Sequence, residues 1–92
     1  MRTLCVYCDI NDPQHQYGAL IVYLESYTSF AQAGENTWFI NTDKSPAQVR
    51  NEIELLAMPS GKRIIIFNVG VDWSSVNLKP ETSDWLHNEW RP

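Results

Sequence analysis

A chain of 92 residues is one small domain, burying about 60–65% of the surface its unfolded form exposes, with no room for a second core or for catalytic groups spread over several long loops. Apolar residues at 43% and charged residues at 20% exclude a disordered chain, and no run of about 18 apolar residues offers a membrane span. The formal charge of −4, with seven Lys and Arg, excludes broad electrostatic capture of nucleic acid and leaves only a local basic patch at Lys62-Arg63.

Met1-Arg2-Thr3 leads straight into a strand without the charged and apolar regions of a signal peptide, so the expected setting is the cytoplasm. Residues 2–9 alternate. Leu4, Val6 and Cys8 share one face; Thr3, Cys5, Tyr7 and Asp9 share the other. Cys5 and Cys8 form a C-x-x-C, but strand residues three apart face opposite ways and no second cysteine pair exists. They are expected to be two reduced, half-buried structural thiols. Asn11-Asp12-Pro13 is a turn cluster.

Residues 15–29 predict a helix, with Tyr17, Leu20, Leu24 and Tyr27 at 3-4-3 spacing. Residues 30–33 predict a weak strand and residues 37–42 a stronger one, joined by Gly34-Glu35-Asn36. The second helix has the clearest start. Ser45 is an N-cap, Pro46 takes the first helical position and Gln48 completes a capping box. Val49, Ile53 and Leu56 form its buried stripe, and Met58-Pro59-Ser60-Gly61 ends it. Lys62 to Val69 predicts the last strand. Beyond Gly70 the pattern dissolves into a polar stretch carrying Val71, Trp73, Val76 and Leu78, then a short helix over 83–90 with Trp85, Leu86 and Trp90.

The order β-α-β-β-α-β predicts an α+β, ferredoxin-like domain with its core in residues 2–69 and an aromatic C-terminal tail in 70–92. Right-handed crossovers put the strands in the order fourth, first, third, second, with both helices on one face of an antiparallel sheet. The other face then presents Cys5, Tyr7, Phe39 or Trp38, and half of the Ile-rich fourth strand. Burying such side chains yields about 1.5–3 kcal/mol each, so that face is expected to be covered. The expected cover is a second copy in a homodimer, with the tail contributing.

An apolar first strand ending in Asp9-Ile10-Asn11-Asp12, then Thr37-Trp38, Thr42-Asp43-Lys44-Ser45 and Ser83-Asp84-Trp85-Leu86, resembles the SinR-like family of small bacterial proteins. That family is similar in turn to the CRISPR-associated adaptation subunit, a metal-dependent endoribonuclease type, and to virulence-associated protein D. The resemblance runs from residue 2 to about 88 and implies a ferredoxin-like homodimer. It also implies that the Asp at the end of the first strand, here Asp9, meets its symmetry mate around a divalent metal at the dimer interface. Cys8 differs from the Tyr usual before that Asp, and the chain is acidic where nucleic-acid-binding members are basic.

Asp9 thus has two readings. In one, Asp9 and its mate share Mg²⁺ or Mn²⁺, with Asp12 as a second or water-mediated ligand, and the metal activates water against a phosphodiester. In the other, Asp9 is a structural acceptor paired with Lys62 or Arg63 across the first and fourth strands, and Asp12 is a turn acceptor. Lys62 and Arg63 are also the candidate nucleic-acid contacts. His15 reads as a solvated or capping residue, and His87 and the four Trp as packing groups. The expected function is a divalent-metal-dependent endonuclease acting on RNA or DNA as a homodimer. The alternatives are a non-catalytic dimeric scaffold that binds another protein and a toxin-like ribonuclease of the virulence-associated D group.

Overall fold

The computed structural model describes residues 1–9, 17–56 and 63–92. Its elements in chain order are β1 (Arg2–Asp9), α1 (Gly18–Glu25), β2 (Phe30–Gln32), β3 (Thr37–Thr42), α2 (Pro46–Glu54), β4 (Arg63–Asn68) and α3 (Pro80–Glu89). The four strands form one antiparallel sheet in the order β2-β3-β1-β4. The fold is therefore α+β. No helix of the described residues is long and apolar enough to cross a membrane.

The alternation of β1 divides the molecule. Leu4, Val6 and Cys8 point to the face covered by α1 and α2, where Leu20, Leu24, Val49 and Ile53 meet them together with Trp38 and Ile40. All nine are at most 2% exposed. Trp38 therefore belongs to this core, and Phe39 is the β3 aromatic on the other face. Cys5 and Cys8 are free thiols on opposite faces, and both are buried rather than half-buried. The central strand has a protein layer on each side, which is why neither thiol reaches water.

Helix α1 is shorter than the expected 15–29 span. Its C-cap is Ser26, whose hydroxyl donates to the Tyr23 carbonyl at 2.5 Å, so a side chain competes for the acceptors that would continue the ladder. Tyr27 falls just beyond the helix. In α2 the capping box forms as the sequence implies: the Gln48 N–H donates to Ser45 Oγ (3.2 Å) and the Ser45 N–H to Gln48 Oε1 (2.7 Å). Replacing Ser45 with Ala is expected to cost about 1 kcal/mol in urea unfolding, and Ser45→Asp to retain most of that stability. The Met58–Gly61 stop signal lies outside the described residues.

Helix α3 begins three residues before the expected start, with Pro80 in its first turn. Proline's fixed φ suits that position, and the polar Glu81-Thr82 hid the signal. The helix covers the sheet face opposite α1 and α2. Trp85 stacks on Phe39 (centroids 6.3 Å apart, planes at 20°), Leu86 is 3% exposed, and Thr82 Oγ1 donates to the Gln32 carbonyl at 3.1 Å. The tail thus docks on its own sheet. Its approach turns at Asn77, whose φ of 58° lies in the left-handed region that Asn tolerates.

Polar bonds close the tail. Thr3 Oγ1 donates to Asn41 Oδ1 (2.6 Å), and Asn41 Nδ2 donates to the Glu89 carbonyl (2.6 Å). The Arg91 N–H donates back to Thr3 Oγ1 (2.8 Å), the Thr3 N–H to the Arg91 carbonyl (3.0 Å), and Trp90 Nε1 to the Val69 carbonyl (2.9 Å). Thr3 and Asn41 are buried and fully partnered, so the network costs little desolvation that is not returned.

Candidate functional site

Asp9 ends β1 on the face that α3 covers only in part. The β1–β4 register puts it opposite Arg63, with Tyr7 opposite Ile65 and Cys5 opposite Phe67. Arg63 Nη1 lies 3.5 Å from Asp9 Oδ2, a long contact between a guanidinium that is 77% exposed and a carboxylate that is 33% exposed. Of the two cations expected near Asp9, Arg63 is among the described residues, and the ladder places it there. Lys62, Asp12 and His15 lie outside the described residues.

Beside this ion pair the face is apolar and open. Tyr7, Ile65 and Phe67 are 40%, 57% and 46% exposed, whereas Cys5 and Asn41, toward the tail, are buried. The tail closes one half of the surface and leaves the half that ends at Asp9. A cavity of about 330 Å³ on this face is lined by Cys5, Phe39, Phe67, Trp73, Leu78 and Leu86 among others. Burial pushes the Cys5 thiol up to about 11; it is no nucleophile near neutral pH.

Among the described residues, no group of three or more His, Cys, Asp or Glu is placed to hold a metal ion. His87 stands apart from Asp9; it meets the Trp73 ring edge-on at 5.6 Å, and its Nδ1 lies 2.8 Å from the Ser83 carbonyl. Trp38, Trp85 and Trp90 all serve in packing or in the tail network.

A second polar cluster, absent from the sequence reading, joins α1 to α2. Tyr23 Oη donates to Glu52 (2.6 Å) and lies 2.6 Å from Tyr27 Oη, while Lys44 Nζ donates to the same Glu52 oxygen at 2.8 Å. Lys44 also sits 5.3 Å over the Tyr27 ring. Burial and the bond to Glu52 raise the Tyr23 hydroxyl well above the usual phenol range. The bond to Glu52 raises Lys44, and the bonds from Lys44 and Tyr23 lower Glu52. Each group is thereby held in one protonation state near neutral pH, so the cluster staples two helices rather than moving protons. The i, i+4 spacing of Tyr23 and Tyr27 was its only local signal. A shallow cavity of about 380 Å³ adjoins it, rimmed by Ser26, Thr28 and Asp43.

No family model matches this chain, and no curated protein matches it.

Proposed function

We propose that this chain is a ferredoxin-like homodimeric scaffold, of the type to which the CRISPR-associated adaptation subunit belongs, and that it binds another protein rather than turning over a substrate. The strand order β2-β3-β1-β4, with α1 and α2 packed on one face, supports the ferredoxin-like assignment, and α3 is an addition to it. The observation that carries the scaffold reading is the pairing of Asp9 with Arg63 across the ladder. A divalent cation at Asp9 has to displace a guanidinium already there. Two copies meeting at this point would bring two Arg63 along with two Asp9, which cancels the charge that attracts the metal.

The alternative, a Mg²⁺- or Mn²⁺-dependent nuclease, draws on one observation. Asp9 shares its face and its end of the sheet with the open Tyr7–Ile65–Phe67 strip, so a copy seated on that strip brings two carboxylates near each other. A hard cation takes several oxygen ligands; the described residues of one chain supply Asp9 at that end, and Asp12 lies outside them.

Incubation with RNA and with DNA in Mg²⁺ or Mn²⁺ separates the two. The wild-type protein and Asp9→Ala are expected to leave both polymers intact; cleavage by the wild type that Asp9→Ala abolishes overturns the scaffold reading. As a largely exposed pair, Asp9–Arg63 is worth at most about 1 kcal/mol, so Asp9→Ala is expected to fold normally in the same experiment.

A further inference from the structure

The two edges of the sheet are treated differently. At the β2 edge, the Ala33 N–H donates to the Thr37 carbonyl and the Asn41 N–H to the Ser29 carbonyl, so Gln32 directs its backbone outward. That outward carbonyl is taken by Thr82 of α3. At the β4 edge, the Val69 N–H donates to the Thr3 carbonyl, which fixes the phase of the whole ladder. Arg63, Ile65 and Phe67 turn their backbone groups toward β1, and Ile64, Ile66 and Asn68 turn theirs away from the sheet. Those outward groups have no partner among the described residues. Nor does Arg63–Asn68 contain a proline or lysine, two devices that ordinarily blunt a sheet edge.

We propose that this edge is the dimer contact, and that its occupant is β4 of a second copy, antiparallel about a two-fold axis at Ile66. The three outward residues are spaced symmetrically about Ile66. One axis therefore pairs Ile66 with its mate and each Ile64 with the partner subunit's Asn68, forming six backbone hydrogen bonds. In the same register Ile65 stands opposite the partner's Phe67 on the open face. These are the two most exposed apolar side chains of β4 described there, 57% and 46%, and the non-hydrogen-bonded position brings them close. The sole charged residue of the strand, Arg63, falls about 20 Å from its mate, so no like charges meet. The four-stranded sheet becomes eight-stranded.

This contact deepens the scaffold reading and rests on it. It holds the two Asp9 about 25 Å apart, from strand spacing and rise, far beyond the reach of one shared cation. The test is mass in solution by light scattering. The wild type is expected at twice the 10.6 kDa of one chain, Tyr7→Lys likewise, and Asn68→Pro at the single-chain mass. Asn68 is exposed and its N–H is not used within the sheet, so proline removes an outward donor without breaking the fold's own ladder. A monomeric wild type, or a dimer lost in Tyr7→Lys and kept in Asn68→Pro, overturns the proposal. Independently of how Asn68→Pro folds, the double variant Ile65→Cys, Phe67→Cys is expected to oxidise to a covalent dimer, and failure to do so also overturns it. The cleavage assay bears on the scaffold reading alone, so the two failures are told apart.

Discussion

Asn41→Ala is expected to destabilise the protein by about 2–4 kcal/mol and to loosen its tail. The amide is buried between β1 and the end of α3, accepting from Thr3 and donating to Glu89. Its removal leaves the buried Thr3 hydroxyl and the half-buried Glu89 carbonyl without their partner, at about 1–3 kcal/mol for each buried group left unmade. Urea unfolding at neutral pH measures the loss. Trp85 and Trp90 lie in the segment that is released, so their fluorescence is expected to shift to the red before the main transition. Asn51→Ala on the exposed side of α2 is the matched control and is expected to change stability by less than about 0.5 kcal/mol. Equal effects from the two would refute a special role for the buried amide.

Alkali is expected to unfold the protein more readily than its tyrosines and lysines alone would bring about. Burial pushes both Cys5 and Cys8 from 9.0 up to about 11, and at Cys8 the neighbouring Cys5 adds to it. A folded-state value above the unfolded one means that the unfolded chain ionises first. The contribution is therefore complete below about pH 9 and is lost as the pH rises to about 11 and beyond. At roughly 1.4 kcal/mol per pH unit per thiol, the pair loses up to about 5–6 kcal/mol once the pH has passed through that window. Urea midpoints taken between pH 8 and pH 11 in reductant follow this directly. A Cys5→Ala, Cys8→Ala double variant is expected to show a shallower decline, leaving the part due to Tyr23, whose hydroxyl is raised as well. An unchanged slope in that variant would dispose of the explanation.

Local periodicity made most of the fold legible. The two-residue alternation of Leu4, Val6 and Cys8 identified the core face of β1, and Ser45-Pro46 with Gln48 identified the start of α2, because each signal acts over a few residues. The Asp9–Arg63 pairing was also within reach, since an antiparallel ladder places the end of one strand beside the start of the next. Interactions joining distant parts of the chain were not. Thr3 and Asn41 look like ordinary strand residues until the register sets them side by side, 38 positions apart in the chain. Tyr23, Lys44 and Glu52 come from three separate segments. The end of α1 was misplaced because Ser26 competes for a helix acceptor, an effect that hydrophobic spacing does not carry.

The bond from Arg91 back to Thr3 spans 88 positions, nearly the full chain. Biosynthesis proceeds from the amino end, so the underside of β1 waits for residues 80–91 before its lining arrives. Sequence-distant closures of this kind form late in folding and slow it. A newly made chain therefore passes through an interval in which greasy strand surface is bare and adhesive, and chaperone demand should be greatest then. Removing residues 80–91, which carry Trp85, Leu86 and Trp90, extends that interval indefinitely.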